Sequence, residues 1–265
     1  MNATTMPPVT ASSTLRALLG FSLGLMLCLG AAAWLDTREL GGANLWLKPA
    51  KFALSFVVLY ATLALVVERL SPAVQAHPVL RFTLPVMVLA TWGEMAYIAG
   101  RAGQGLHSHF AVATPAEAML YSLMGAGALS LVVGIAIVGW LAGKDTGARL
   151  GPALREGVLW GFGLSAVLTL LTAGYLAGNG GHYVGVPSSS AAVLPGVGWS
   201  GEVGDLRPAH FLALHAMQAV PAWGWWLDRR GWASKAGVRA FAVVYTCGTL
   251  AVFAQALMGL PLIRL

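Results

Sequence analysis

Three histidines stand where they could bind a metal ion. His107 and His109 are separated by one residue and follow a glycine-rich stretch, and this spacing lets two imidazoles reach one ion from an extended segment, as in zinc sites. His215 would add the third ligand, leaving the fourth position for an activated water. The alternative is a glycine-rich loop whose histidines only cap a helix or bind water. The pattern leaves both interpretations open.

A second motif runs from Asp205 to Gln218. His210 and His215 are five residues apart, about 140° around a regular helix, so they do not form the usual pair of ligands to one ion. His215 and Gln218 share a helix face, which predicts that His215 faces a site while His210 meets a neighbouring helix or provides a second ligand position. Asp205 is either a metal ligand or a helix cap, with Pro208 in the first helical turn.

Ionisable and amide side chains also lie within apolar runs. Such groups are costly in hydrocarbon and normally face the interior of a helix bundle or a hydrated cavity. Several of them fall at similar depths near one membrane boundary, which predicts a polar cavity with Glu94 as its catalytic residue. The residues predicted to bind a cofactor or ligand there are Lys51, Arg101, Arg207, Gln218 and Gln255.

The composition determines which elements must position these groups. The chain has 265 residues, of which 57% are hydrophobic and 10% charged, and soluble proteins carry about 25% charged residues. Both cysteines lie in apolar runs, which excludes a disulfide framework and a four-cysteine zinc site. The basic residues stand at the ends of apolar segments, as in membrane proteins, so no nucleic-acid partner is expected. The sequence predicts an all-α, polytopic membrane protein.

Seven segments are long enough to cross a bilayer, which requires about 20 apolar residues per helix. The predicted spans are 15–34, 46–67, 80–99, 117–140, 158–177, 209–227 and 240–260. Residues 1–14 are predicted to form a flexible tail, residues 15–265 a single transmembrane domain, and residues 178–208 an extracytoplasmic loop. The first segment also resembles a secretory signal peptide. Its length favours a retained helix.

The charge distribution predicts the orientation. With seven spans, the side that holds the N-terminus carries ten basic and four acidic residues, while the opposite side carries six of each. Because the side richer in Lys and Arg is normally cytoplasmic, the N-terminus is expected inside and the C-terminus outside. Five of the six histidines then lie on or near the outer side.

Three motifs resemble those of a group of uncharacterised bacterial multi-pass membrane proteins. They are Trp-x-Lys-Pro-x-Lys-Phe at 46–52, Glu94 with Arg-x-Gly before Ser-His-Phe at 108–110, and Gly-Asp-x-Arg-x-x-His-Phe-x-x-Leu-His-x-x-Gln at 204–218. The resemblance implies the bacterial inner membrane and no particular activity. This chain has Ala111 where that group usually has Asn. A looser likeness to seven-helix zinc-dependent membrane hydrolases implies three His and one Asp ligand, but those enzymes space their paired histidines four apart.

Three functions remain open from the sequence. The first is a metal-dependent hydrolase of a lipid-like or amide substrate, with zinc held by His107, His109 and His215 and assisted by Asp205 or Glu94. The second is a b-type cytochrome whose haem has two axial histidines. The third is a transporter or receptor without a metal, in which Glu94 and nearby cationic residues bind a small charged solute. In each case the expected partners are the lipid bilayer and a small-molecule or lipid ligand.

Overall fold

The computed structural model describes residues 10–188 and 190–265, and this part of the chain is mainly helical. The long helices are α1 (Ala11–Leu35), α2 (Leu47–Val67), α4 (Pro78–Gly103), α5 (Pro115–Lys144), α6 (Pro152–Gly178), α7 (Arg207–Arg229) and α8 (Lys235–Leu257). The short elements are the one-turn helix α3 (Pro72–Gln75) and two antiparallel ladders, β1 (Glu39–Leu40) with β2 (Ala43–Asn44) and β3 (Tyr183–Val184) with β4 (Gly204–Asp205).

Six of the described helices are long and apolar enough to cross a membrane, namely α1, α2, α4, α5, α6 and α8. This confirms a multi-pass membrane protein. The remaining long helix, α7, occupies the predicted span at 209–227 but is the least apolar of the long helices. The helix α1 begins at Ala11, inside the predicted tail, and residues 1–9 of that tail lie outside the described residues.

Local sequence signals explain where the helices begin. Thr10 and Ser13 form a reciprocal capping box at the start of α1, and Ser234 accepts a hydrogen bond from a backbone N–H at the start of α8. The helices α3, α4, α6 and α7 each have proline in the first turn, where its missing N–H costs nothing. His77 caps α4, because its Nδ1 accepts a hydrogen bond from Val79 N, 3.2 Å away.

The chain divides into two compact units. The first comprises the described residues up to Val138 together with Asp145–Arg149, and the second comprises Gly139–Lys144 with Leu150–Leu265. In the first unit, α1 and α4 pack on α2 around the fully buried Tyr60. The Asp145 carboxylate accepts a hydrogen bond of 2.7 Å from Ser71 N, which holds the segment Asp145–Arg149 beside α3. The single domain predicted over 15–265 stays a prediction.

The second unit is built around close contact between α6 and α7. Gly157 and Gly161 of α6 face Pro221 and its neighbours on α7, and a Cβ on Gly161 would lie 2.8 Å from Ala216 O. Small residues at such a crossing let two backbones approach, which is how helices associate where lipid removes the hydrophobic driving force. The helix α8 completes this unit by packing on α6 and α7.

Both cysteines are free and exposed on the surface of the chain. Cys28 lies in α1, in the first unit, and Cys247 lies in α8, in the second. Their position in apolar helices agrees with the exclusion of a disulfide framework.

Asp228, at the end of α7, caps the start of α6. Its two carboxylate oxygens accept hydrogen bonds from Ala153 N at 3.1 Å and Leu154 N at 2.8 Å. We expect Asp228→Ala to lower the free energy of unfolding by about 1–2 kcal/mol, because two N–H groups lose their acceptor at the positive end of the helix dipole. Thermal unfolding of the purified protein measures this change. Asp228→Asn keeps one acceptor and should lose clearly less, so equal losses for the two variants would contradict the capping role.

Candidate functional site

Glu94 is a buried carboxyl group within a membrane helix. Because α4 extends to Gly103 rather than to the predicted residue 99, Glu94 lies about 14 Å from the helix end instead of about 7 Å. Its residue surface is 6% exposed, and its Oε1 accepts no hydrogen bond from any described residue. Glu94 also forms no ion pair within residues 10–188 and 190–265.

Gly127 of α5 makes room for the Glu94 carboxyl group. A Cβ at Gly127 would lie 3.0 Å from Glu94 Oε1, closer than an ordinary contact. The carboxyl group therefore lies directly against the backbone of α5. The Glu94 side chain is thus buried within the first unit, and the polar cavity around it stays a prediction.

Polar side chains continue along α4 on either side of Glu94. Thr91, Glu94 and Tyr97 are spaced three residues apart, so Glu94 adjoins each of the other two on the helix surface, while Thr91 and Tyr97 are about 120° apart. The Tyr60 hydroxyl of α2 forms a hydrogen bond with Thr91 Oγ1 and lies 3.4 Å from Met87 O. The Tyr97 hydroxyl is buried and has no partner among the described residues.

Sequence reasoning missed this row of hydroxyl groups. It indicates only Glu94, because an ionisable residue stands out in an apolar run while Thr91 and Tyr97 do not. The signal that could have found them is the three-residue spacing on a helix. Tyr60 comes from another helix and has no such signal.

Arg101, at the end of α4, binds two neighbouring residues. Its Nη2 lies 2.9 Å from Glu117 Oε1 in a partly buried ion pair, and its Nε donates to His107 O at 2.9 Å. Arg101 therefore pairs with Glu117 rather than with Glu94, although Arg101 and Glu94 lie on one helix. The pair instead joins the ends of α4 and α5 and holds the loop that carries His107.

His109 belongs to the same loop and packs among aromatic rings. Its ring centroid lies 5.3 Å from that of Phe52 and 6.4 Å from that of Tyr121, and its Nδ1 is 3.1 Å from Ser108 Oγ. Burial, helped by the positive charge of Lys48, lowers the pKa of His109 to about 3. The imidazole is thus neutral at physiological pH. His107, by contrast, is exposed.

The predicted ligand-binding residues Lys51 and Gln255 lie in different units. Lys51 is exposed on α2, and its backbone carbonyl accepts a hydrogen bond of 3.0 Å from Ser55 Oγ. Gln255 Nε2 donates to Pro261 O at 2.6 Å, just beyond α8. The cavity predicted to be shared by Lys51, Glu94, His215, Gln218 and Gln255 stays a prediction.

Asp205 and Arg207 bind each other at the start of α7. The Arg207 Nη2 lies 2.6 Å from Asp205 Oδ2, and the Asp205 side chain is completely buried. Asp205 also accepts hydrogen bonds from the backbone N–H groups of Ser200 and Arg207, at 2.9 and 3.0 Å. Arg207 further donates to Gly198 O at 2.7 Å. Asp205 thus organises the loop rather than occupying the N-cap position, which is Leu206, and its role as a metal ligand stays a prediction.

The two histidines of α7 have separate surroundings in the second unit. His210 Nδ1 lies 3.2 Å from Thr172 Oγ1 of α6, which confirms that it meets a neighbouring helix. His215 Nδ1 lies 3.2 Å from Gln218 Oε1, which confirms that these two residues share a face. Phe211 covers His215 with a ring-centroid distance of 4.2 Å.

No three His, Cys, Asp or Glu side chains lie close enough together to hold a metal ion in the part of the chain that the structure describes. His107 and His109 belong to the first unit, while His210 and His215 belong to the second. The zinc site and the haem site therefore stay predictions.

Comparisons with protein-family models, with curated proteins and with solved structures find no match. Glu94 and its surroundings are consequently the best guide to function.

Proposed function

We propose that this protein is a proton-coupled transporter of a small charged solute, with Glu94 as the group that takes up and releases the proton. The observation that carries the proposal is the buried Glu94 carboxyl, whose Oε1 has no partner among the described residues. A carboxylate without a partner or water is costly in hydrocarbon. Its protonation therefore changes when water or a solute reaches it. Carboxyl groups with this property mark proton pathways in membrane transporters.

The surroundings of Glu94 support a pathway along α4. The hydroxyl-bearing residues Thr91 and Tyr97 adjoin Glu94 on either side along α4, and Tyr60 joins Thr91 from α2. Hydroxyl groups both donate and accept hydrogen bonds, so they can pass a proton or orient a water molecule. Gly127 leaves room for the carboxyl group beside α5, since a Cβ there would lie 3.0 Å from Glu94 Oε1.

The proposed topology has seven spans, with α7 as the span between α6 and α8. At 1.5 Å per residue its 23 residues extend about 33 Å, enough for a bilayer core. Two of its polar side chains have partners, since His210 Nδ1 lies 3.2 Å from Thr172 Oγ1 and His215 Nδ1 lies 3.2 Å from Gln218 Oε1. The bias of basic residues places the N-terminus in the cytoplasm and the C-terminus outside, in the bacterial inner membrane.

Infrared difference spectroscopy tests the role of Glu94 directly. The purified protein is titrated in lipid, and the carbonyl stretch of a protonated carboxyl group is followed with pH. We expect a band from a membrane-buried carboxyl that disappears in Glu94→Gln and persists in Glu39→Gln, which removes an exposed carboxyl from β1. An unchanged band in Glu94→Gln would refute the proposal.

Proton movement is then measured in liposomes that contain a pH-sensitive dye. Small carboxylates and small amines are offered as solutes, and at least one should drive a pH change in the wild type and in Glu39→Gln but not in Glu94→Gln. Solute uptake without proton movement would contradict the coupling. An absorption spectrum and metal analysis of the same sample identify the other functions: a Soret band indicates a cytochrome, and stoichiometric zinc indicates the hydrolase.

A further inference from the structure

A basic and aromatic turn joins α7 to α8 in the second unit. Arg229 and Arg230 end α7, and Lys235 begins α8. Trp225 and Trp232 are exposed on the same segment, with 49% and 63% of their surfaces accessible. This set of five residues is named the α7–α8 turn site.

The two arginines of the α7–α8 turn site are stacked on indole rings. The Arg229 guanidinium carbon lies 4.8 Å from the Trp225 ring centroid, and that of Arg230 lies 5.4 Å from Trp226. Trp232 meets Trp226 edge-on at 5.3 Å. These cation–π contacts hold the guanidinium groups beside the indole rings while leaving N–H donors available to a phosphate.

The acidic residues at this end of the unit are already used. Asp228 accepts hydrogen bonds from the start of α6 through both oxygens. Glu156 pairs with Arg239 at 2.7 Å. Among the ion pairs of the described residues, neither Arg229 nor Arg230 takes part. The two guanidinium groups are therefore without an ion-pair partner among the described residues, while the charge of Lys235 acts on Glu156.

We propose that the α7–α8 turn site binds the phosphate of an anionic phospholipid headgroup. Two stacked guanidinium groups and an ammonium group supply charge and donors for a phosphate. The indoles of Trp225 and Trp232 suit the interfacial depth at which that phosphate lies. A cluster of basic residues directly beside a membrane helix is typical of anionic lipid binding.

The full chain is placed in nanodiscs of phosphatidylcholine alone or of phosphatidylcholine mixed with phosphatidylglycerol. We expect the anionic lipid to raise the thermal unfolding midpoint of the wild type, and high salt to reduce the rise. Arg229→Gln/Arg230→Gln should lose most of this rise while keeping the wild-type midpoint in phosphatidylcholine. Arg81→Gln/Lys144→Gln, which removes two other exposed basic residues, should keep it.

A second measurement guards against a variant that unfolds. Native mass spectrometry counts the phosphatidylglycerol molecules retained by each protein, and Arg229→Lys/Arg230→Lys, which keeps the charge but not the planar donors, should retain fewer than the wild type. An equal loss in Arg81→Gln/Lys144→Gln would show diffuse attraction and overturn the site. So would an unchanged rise in Arg229→Gln/Arg230→Gln. Stabilisation by soluble glycerol phosphate in phosphatidylcholine alone would assign the site to a free phosphate instead.

Discussion

Replacing Asp205 with alanine is expected to destabilise the second unit by about 3–5 kcal/mol, because the change leaves a partly buried guanidinium without its partner. The Asp205 carboxylate receives Arg207 through two side-chain nitrogens and also accepts the backbone N–H groups of Ser200 and Arg207. Loss of this carboxylate should loosen the loop that connects α6 to α7. Hydrogen exchange measured by mass spectrometry should show faster exchange across residues 198–207.

Two further variants test this role of Asp205. Asp205→Asn keeps the size of the side chain but loses the charge, so its destabilisation should fall between those of the wild type and Asp205→Ala. Glu202→Ala removes an exposed carboxylate of the same loop that binds Ser188. That change should have little effect on unfolding. If added metal raises the thermal unfolding midpoint of the wild type but not that of Asp205→Ala, the metal-ligand role that the sequence suggested is favoured.

The second large effect is expected at Gly161. A Cβ there would lie 2.7 Å from Pro221 Cδ and 2.8 Å from Ala216 O. Because the backbone of α7 cannot move aside without breaking other contacts, Gly161→Ala should cost about 1–3 kcal/mol of stability. The thermal unfolding midpoint in detergent or nanodiscs measures the change.

Gly163 is the matched control on the same helix. A Cβ at Gly163 would meet no atom of the described residues within 4 Å, so Gly163→Ala should preserve stability or raise it slightly through better helix propensity. Equal destabilisation by the two variants would mean that helix propensity, and not the α6–α7 contact, controls this region.

The fold was largely predictable because membrane helices are encoded by length and hydropathy alone. Each predicted span contains a helix, and the differences are at the ends, where proline and capping residues act. The glycine contacts between α6 and α7 were only partly predictable. Gly161 and Gly163 look alike in the sequence, yet only Gly161 meets another helix closely.

The candidate site was less predictable because its partners come from distant parts of the chain. The ionisable side chain of Glu94 and its place within an apolar run correctly indicate a buried group. Its neighbour Gly127 is 33 residues away, and no spacing rule connects them. The sequence predicts that Arg101 and Arg207 bind a cofactor or ligand, because cationic side chains without an obvious partner in an apolar chain suggest a binding site. Arg101 instead binds Glu117, and Arg207 binds Asp205. Glu117 follows the motif at 108–110, and Asp205 lies within the motif at 204–218.

The exposed thiols of Cys28 and Cys247 make the native chain suitable for chemical labelling. Each lies within an apolar helix, so a lipophilic maleimide should reach it while a charged, membrane-impermeant reagent should not. One label then reports on each unit without any engineered cysteine. The same positions would allow fluorescence quenching by brominated lipids to measure how deeply α1 and α8 lie in the bilayer.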